Sequence, residues 1–471
     1  MVFSSNIFLF AFLPLFLSVY YLTPNQYRSL PILIGSYIFY AWWRVDFLAL
    51  FFGVTLWNYL IYKRIIAPNT NGARWMKIGV VGNLAALGFF KYFNFGVDSF
   101  NLLLSEIGFS PISAMQVILP IGISFYIFQA ISFLIDVHRK DAPHPKNFWD
   151  FAAFISLFPQ LIAGPILRYK DVAEQFQERT HTFDKFSEGA YRFMLGFAQK
   201  VLIADSVAPL VDQTFALENP TFLESWIGAL AYTIQLYFDF MGYSSMAIGI
   251  GLMMGFRFIE NFNHPYISRS ITEFWRRWHI SLSSWLKDYL YIPLGGNRKG
   301  PLRTYINLFL TMLLGGAWHG ANWTFVIWGA WHGSLLALER RMGFKDVNWP
   351  KIMMAPTLLA VILGWVMFRA DTVGQAFGFY EGMIGLNGFA ISDAMIWQLK
   401  YQHLVFLVLG WFIVFIHPKF FEYRQAIEGS AAWQTIGHHK PIIACSVIGL
   451  FILAVTKLAA ASYSPFLYFQ F

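Results

Sequence analysis

A chain of 471 residues that is 57% hydrophobic, 20% aromatic and only 13% charged falls well short of the roughly 25% charged residues of a soluble protein. Its apolar runs approach the about 20 residues that a helix needs to cross a bilayer, and they do not alternate as membrane strands do. This excludes a soluble enzyme and a β-barrel, and predicts an all-α polytopic membrane protein. The net charge of +8 is informative through its placement, because Lys and Arg mark cytoplasmic loops; membrane lipid, not nucleic acid, is the expected partner of that charge.

Residues 6–22 (NIFLFAFLPLFLSVYYL) read as a first span. No basic residue precedes them and no small-residue cleavage site follows, so a signal peptide is not expected. Arg28 comes just after this span, which places the N-terminus outside. Segments 30–43 and 46–62 lead to a basic loop with Lys63, Arg64, Arg74 and Lys77. Segment 78–96 goes out, and 114–136 returns to HRKDAPHPK, where Asp136 and His138 read as interfacial anchors. Residues 148–167 could span by length, but both flanks are basic and Pro159, Gly164 and Pro165 interrupt a helix. A re-entrant hairpin from the cytoplasmic side is expected, its broken backbone lining a cavity, with Gln160 as a supporting residue of that wall.

Segment 188–211 exits, and the acidic loop 212–224 without Lys or Arg lies outside. Residues 226–257 return with Asp239 inside an apolar run. That carboxylate needs a partner, for which Arg168 and a helix N-terminus are candidates; a purely structural ion pair is the alternative. Gly251 and Gly255 read as a helix-packing G-x-x-x-G. Residues 257–303 form the least hydrophobic interior stretch, basic and rich in Trp, Phe and Tyr, as at a membrane interface. The pair 304–317 and 323–338 follows, with basic ends that put both outer flanks inside and the turn near His319 at membrane depth. Then come 353–369 outward, an external amphipathic stretch 370–399, 403–417 inward, a polar loop 418–440 and 441–456 outward. Cys445, the only cysteine, is expected as a small buried hydrophobe. It excludes an intrachain disulfide and a cysteine metal cluster, and no metal is expected. The C-terminal SPFLYFQF is placed at the outer interface. The whole of 1–471 reads as a single domain of about ten or eleven spans plus re-entrant and interfacial helices.

Several chemistries lack their residues. There is no G-x-S-x-G elbow and no phosphate-binding G-x-x-x-x-G-K-[ST] loop. GGNRKG at 295–300 is glycine-rich and basic without that spacing, so it reads as a flexible loop whose Arg298 and Lys299 could hold phosphate.

The triplet Trp-His-Gly occurs twice in GGAWHGANWTFVIWGAWHG, residues 315–333. His319 sits among small residues that let a ligand or another backbone approach, with Trp318 and Asn322 beside it. An ionisable residue in a membrane is a functional candidate by default; the alternative is a histidine satisfied by a neighbouring helix. His332 lies on an uninterrupted aromatic helix shortly before Glu339, Arg340 and Arg341. It is placed near the cytoplasmic interface in a structural role. On one straight helix, thirteen residues would turn it about 220° from His319. His279, in FWRRWHISLSSW, stands with Arg276 and Arg277. Either this is an interfacial helix with snorkelling arginines, or His279 is a second site histidine beside an anion-binding surface.

At these residues the chain resembles the membrane-bound O-acyltransferase family, over nearly its whole length. The residues carrying the resemblance are ENFNHPYISRSITEFWRRWHISLSSWLKDYLYIPLGGNRKG (260–300), LFPQLIAGPILRY (157–169), YFDFMGYSSMAIGIG (237–251) and LLGGAWHGANWTFVIWGAWHG (313–333), with the C-terminal FLYFQF. The branch it looks most like is that of the bacterial polysaccharide O-acetylases, of the alginate, cellulose and peptidoglycan kinds, with the D-alanyl transferases of teichoic acid as near cousins. The resemblance implies a helical fold around a central tunnel. It makes His319 the catalytic histidine and His279 the second family histidine, and gives His332 no such role. It also implies acetyl-CoA as cytoplasmic donor and a hydroxyl acceptor reached from outside. A periplasmic or cell-surface acetyltransferase would pass the group to the exported polysaccharide, in a bacterial inner membrane. The basic face, with Arg276, Arg277, Lys287, Arg298 and Lys299, suits the phosphates of that donor. The stretch 370–399 is a candidate docking surface. A transporter would instead predict inverted repeats, and a non-catalytic scaffold would leave a histidine flanked by glycines unexplained.

Overall fold

The computed structural model describes residues 1–343, 349–427 and 440–460, and no strand occurs among them. Helices α1 (Leu13–Leu22), α2 (Ser29–Ala41), α3 (Phe47–Ile66) and α4 (Gly72–Glu106) open the chain. Helix α5 (Ile123–Arg139) begins only after Gly122, at φ 72°. Residues 114–122, expected within this span, therefore run as irregular chain. Pro111 and Pro120 cannot donate to a helix. Asn94 of α4 satisfies the extended backbone instead, accepting from Val117 N at 2.9 Å and donating to Val117 O at 2.8 Å.

The interrupted segment is split as its prolines require. Helix α6 (Phe148–Ser156) stops at Leu157, α7 (Phe158–Leu161) is a single turn, and α8 starts only at Tyr169 (Tyr169–Gln177). Residues 151–167 are buried throughout, so the broken backbone lies inside protein. Helices α9 (Phe183–Ala198) and α10 (Asp205–Phe215) are joined by a π-helical turn, Gln199–Ala204, and are followed by α11 (Phe222–Met253). The antiparallel crossing of α9 and α11 is set by glycines. A Cβ on Gly196 would stand 2.6 Å from Gly242 O, and one on Gly189 2.5 Å from Gly249 O. Gly251 packs instead on the Phe258 ring, from which a Cβ would stand 2.5 Å. Gly251 and Gly255 close the end of α11: Phe256 N donates to Gly251 O at 2.8 Å and Gly255 N to Leu252 O at 2.9 Å. This six-to-one, five-to-two pattern needs the left-handed φ of 85° that Gly255 adopts.

The basic, aromatic stretch folds into two short helices, α12 (Ile271–Arg277) and α13 (Ile280–Leu286), and a π turn, Lys287–Tyr291. It is stapled to the rest of the molecule by charges. Arg168 pairs with Asp171 at 2.8 Å and Asp288 at 2.6 Å, and Tyr289 Oη donates to Asp136 at 2.6 Å. Asp136 is fully buried, so it is an internal tie and not the interfacial anchor expected of it. Arg168 is thereby committed elsewhere, and the partner of Asp239 is Lys200, at 3.4 Å. Lys200, on the π turn, also pairs with Asp205.

Helices α14 (Pro301–His319) and α15 (Trp323–Arg341) form an antiparallel hairpin. It is followed by α16 (Met354–Arg369), α17 (Val373–Met383), α18 (Asp393–Gln398), α19 (Tyr401–Ile427) and α20 (Lys440–Ala460). Among the described residues, three stretches are by themselves long and apolar enough to cross a membrane: Gly72–Glu106, Phe183–Phe215 and Lys351–Arg369. Shorter apolar helices at Phe8–Leu22, Ser29–Ala41, Tyr401–Ile416 and Ala444–Ala460 add to them. Cys445 is exposed on α20, contrary to expectation; this helix turns Val447 and Ala454 inward and its other face outward. The C-terminal FLYFQF motif and residues 428–439 of the polar loop lie outside the described residues.

Candidate active site

The hairpin places His319 at the last turn of α14. A Cβ on Gly316 would come within 2.3 Å of Phe325 O, and one on Gly329 within 2.5 Å of Met312 O, so two helices meet there at backbone distance. The chain then breaks at Gly320. Asn322 caps α15, its Oδ1 accepting from Thr324 N at 3.1 Å while its Nδ2 donates to Asp371 O at 2.8 Å. Its side chain thus serves the break itself.

The α14 end, whose last carbonyls have no partner within the helix, is held by α4. Lys91 Nζ donates to Trp318 O and, at 3.1 Å, to His319 O, and Tyr92 Oη donates to Ala317 O at 2.7 Å. Sequence reasoning passed over Lys91. Its signal was a lone lysine in the apolar run 78–96, which is costly at membrane depth without a partner.

The imidazole of His319 stands edge-on to three rings: Trp318, Trp328 and Phe368, at centroid distances of 5.0, 5.2 and 5.2 Å. It is 9% exposed, and its ring nitrogens make no hydrogen bond to another described residue. With Trp43, Lys91, Gly122, Ile162 and Trp318 it lines a cavity of about 390 Å³. Gln160 does not line this cavity. Its Nε2 donates to Phe154 O at 3.2 Å, and it braces the broken segment of which Ile162 reaches the wall.

A second cavity, of about 470 Å³, opens beside the middle of α14, against Leu308, Thr311 and Met312. Arg276, Lys287 and Arg340 give it a basic rim, and Trp275, Leu286 and Met312 an apolar floor. Of the five basic residues singled out from the sequence, Arg276 and Lys287 line it. Arg277 pairs with Glu273 at 2.8 Å, and Arg298 and Lys299 are exposed in the neighbouring loop beside Asn297, which does line the cavity. Arg340 joins the rim because the hairpin returns α15 alongside α14. Met312 and Trp318 lie about 9 Å apart along α14 at 1.5 Å per residue, so one helix connects the two cavities.

His279 sits in the layer between them. It is fully buried, 4.7 Å from the Phe240 ring and 6.4 Å from that of Trp318. The structure thus brings His279, His319 and Trp318 together. Asp239 belongs to the separate ion-pair cluster with Lys200.

His332 is also fully buried. Trp275 Nε1 lies 3.4 Å from its Nδ1, and Trp328 packs between it and His319, at centroid distances of 5.1 and 5.2 Å. It braces the cage from behind and lines neither cavity. No cluster of metal-ligating side chains occurs among the described residues.

Residues 7–368 match the membrane-bound O-acyltransferase family. The chain belongs to this family. It is 54% identical to the probable alginate O-acetylase AlgI of Pseudomonas putida and 52% identical to that of Azotobacter vinelandii, each over the whole of both chains. It is 38% identical to the peptidoglycan O-acetyltransferase of Helicobacter pylori, over 83% of this chain and 81% of that one. As a member of this family the protein is a membrane O-acyltransferase that uses an acyl donor.

Proposed function

We propose that the protein takes an acetyl group from acetyl-CoA at the basic cavity and passes it to a hydroxyl presented to His319 through the opposite cavity, as the membrane step of alginate-type O-acetylation. The observation that carries this reading is the pair of cavities along α14, basic beside its middle and histidine-lined at its C-terminal end. Arg276, Lys287 and Arg340 suit the donor's phosphates. The apolar floor of Trp275, Leu286 and Met312 suits its pantetheine arm, which has to reach only part-way through the about 30 Å hydrocarbon core.

In this reading the acceptor oxygen attacks the thioester carbonyl while His319 takes the hydroxyl proton. The carbon–sulfur bond then breaks, the proton held by His319 passes to the departing thiolate, and the free thiol leaves through the basic cavity. Positioned proton transfer of this kind contributes about 10²–10⁴-fold, and exclusion of water by the aromatic cage contributes further. The basic rim faces the cytoplasm of a bacterial inner membrane, with the N-terminus outside. A periplasmic acetyltransferase would receive the group; the exposed Ile384, Leu386, Phe389 and Trp397 in the stretch 370–399 support a docking role there.

The test is His319→Ala in cells that export acetylated polymer. The variant inserts and folds, and mass spectrometry finds the polymer without acetyl. Wild-type acetylation by that variant would sink the proposal.

A further inference from the structure

Two arginines crowd a half-buried histidine where α1 ends and α9 begins, and neither pairs with a carboxylate among the described residues. Arg28, 9% exposed, donates through Nε to Thr23 O at 3.1 Å, and its Nη1 stands 2.9 Å from the His181 imidazole. Arg179, on the same loop as His181, donates to Gln175 O at 3.3 Å and lies 4.4 Å over the Phe256 ring. Lys185 joins them from the first turn of α9, donating to Gly255 O at 2.8 Å. Burial, with Arg28, Arg179 and Lys185 around it, pushes the His181 imidazole down to about 4. The ring is therefore neutral, and the charge here is that of three cations. Nearby acids are engaged elsewhere: Glu188 with Arg257 at 3.5 Å, Glu260 with Arg192, and Asp150 as acceptor from Ser29 Oγ at 2.5 Å.

The end of α11 explains only part of this cluster. Its last carbonyls carry the negative end of the helix dipole and attract cations. Gly255 O takes Lys185, while Met254 O and Met253 O accept from the hydroxyls of Tyr20 and Tyr21 at 2.7 and 2.5 Å. The two guanidiniums bond to other carbonyls, and each has more donors than those bonds use. Drawing two cations together out of water costs free energy that an opposite charge has to offset. The surroundings indicate where that charge comes from. The apolar helix Phe8–Leu22 ends here and the apolar stretch Phe183–Phe215 begins here. Leu22 and Phe183 are 85% and 83% exposed, as side chains against acyl chains would be. Tyr21 and Tyr27, also exposed, are of the type that sits at headgroup level.

We propose that Arg28 and Arg179 hold the phosphate of an anionic phospholipid, with Lys185 adding to the field and His181 forming the floor between them. Guanidinium forks match phosphate oxygens bidentately, and the acyl chains would lie along Leu22 and Phe183. A zwitterionic headgroup brings its own cation to the cluster, so an anionic lipid is preferred. None of these residues lines either cavity, and the site is separate from the acyl-transfer chemistry.

Native mass spectrometry of the full-length protein in detergent tests this. Wild type should retain phosphatidylglycerol in preference to phosphatidylcholine, and the double variant Arg28→Gln, Arg179→Gln should bind phosphatidylglycerol about tenfold or more weakly. The double variant Arg64→Gln, Arg74→Gln removes the same charge from exposed positions and should bind as wild type does. Equal losses in the two double variants would reduce the attraction to net charge and overturn the site, as would undiminished binding by the first. Inorganic phosphate is the second arm. It should raise the melting temperature in detergent less than phosphatidylglycerol does; protection by phosphate that the lipid does not match would overturn the lipid as source of the anion. If the arginine variants fail to fold, wild type alone decides. Amide exchange of residues 23–28 and 178–185 should be slower in phosphatidylglycerol nanodiscs than in phosphatidylcholine nanodiscs, and equal exchange overturns the proposal.

Discussion

His319 and His332 carry the same triplet, yet one ring opens into a cavity and the other is sealed behind Trp328. The flanking glycines and the break at Gly320 marked His319 in the sequence. The cage of Trp328 and Phe368 did not show there, because Phe368 is 49 residues away along the chain and arrives only when α16 packs. Lys91 belongs to this scale too. Its ammonium donates to the carbonyls of Trp318 and His319, where a cation also meets the negative end of the helix dipole. Hydrogen bonds to a charged group contribute about 1.5–3 kcal/mol. Lys91→Met should therefore lower the thermal aggregation temperature in detergent and slow acetyl transfer, with Lys91→Arg recovering part of both. An unchanged melt and rate for the methionine variant would show that the α14 end needs no cation.

At the scale of elements, glycines decide which helices meet. Gly316 and Gly329 bring α14 and α15 to backbone contact, and Gly189, Gly196, Gly242 and Gly249 do the same for α9 and α11. Overpacking a well-filled interior costs typically about 1–3 kcal/mol, and here the obstacle is backbone that cannot turn aside. Gly329→Val should splay the hairpin, displace His319 from its cage and reduce both folded yield and transfer. Gly53→Val, at a glycine with open space around it, is the control and should behave as wild type. Equal yield and activity for the two variants would argue against close packing as the reason for the hairpin glycines. The spacing of Gly251 and Gly255 looked like such a contact in the sequence, but the same spacing serves a helix end. Only the partner helix distinguishes the two uses.

At the scale of the molecule, the two cavities share α14 and differ in charge. Replacing Arg276 and Lys287 together by Gln should raise KM for acetyl-CoA by about tenfold or more, since tenfold corresponds to about 1.4 kcal/mol, less than one charged hydrogen bond can supply. The rate at saturating donor should change little, because neither side chain lines the histidine cavity. An unaltered KM would mean that the donor binds elsewhere. Composition and charge placement alone determined that the chain is an all-α membrane protein. They also located the broken segment 148–167, the basic stretch 257–303 and the first Trp-His-Gly triplet, because apolar runs, prolines and loop charges act locally and are written in consecutive residues. The tertiary structure alone decided that Lys200 and not Arg168 meets Asp239, that Arg340 joins the basic rim, that Lys91 holds the end of α14, and that Arg28 meets His181. Each depends on buried polar groups finding partners across helices far apart in the chain. The energetic demand to pair them is general, but which partner is within reach is settled only when the helices pack.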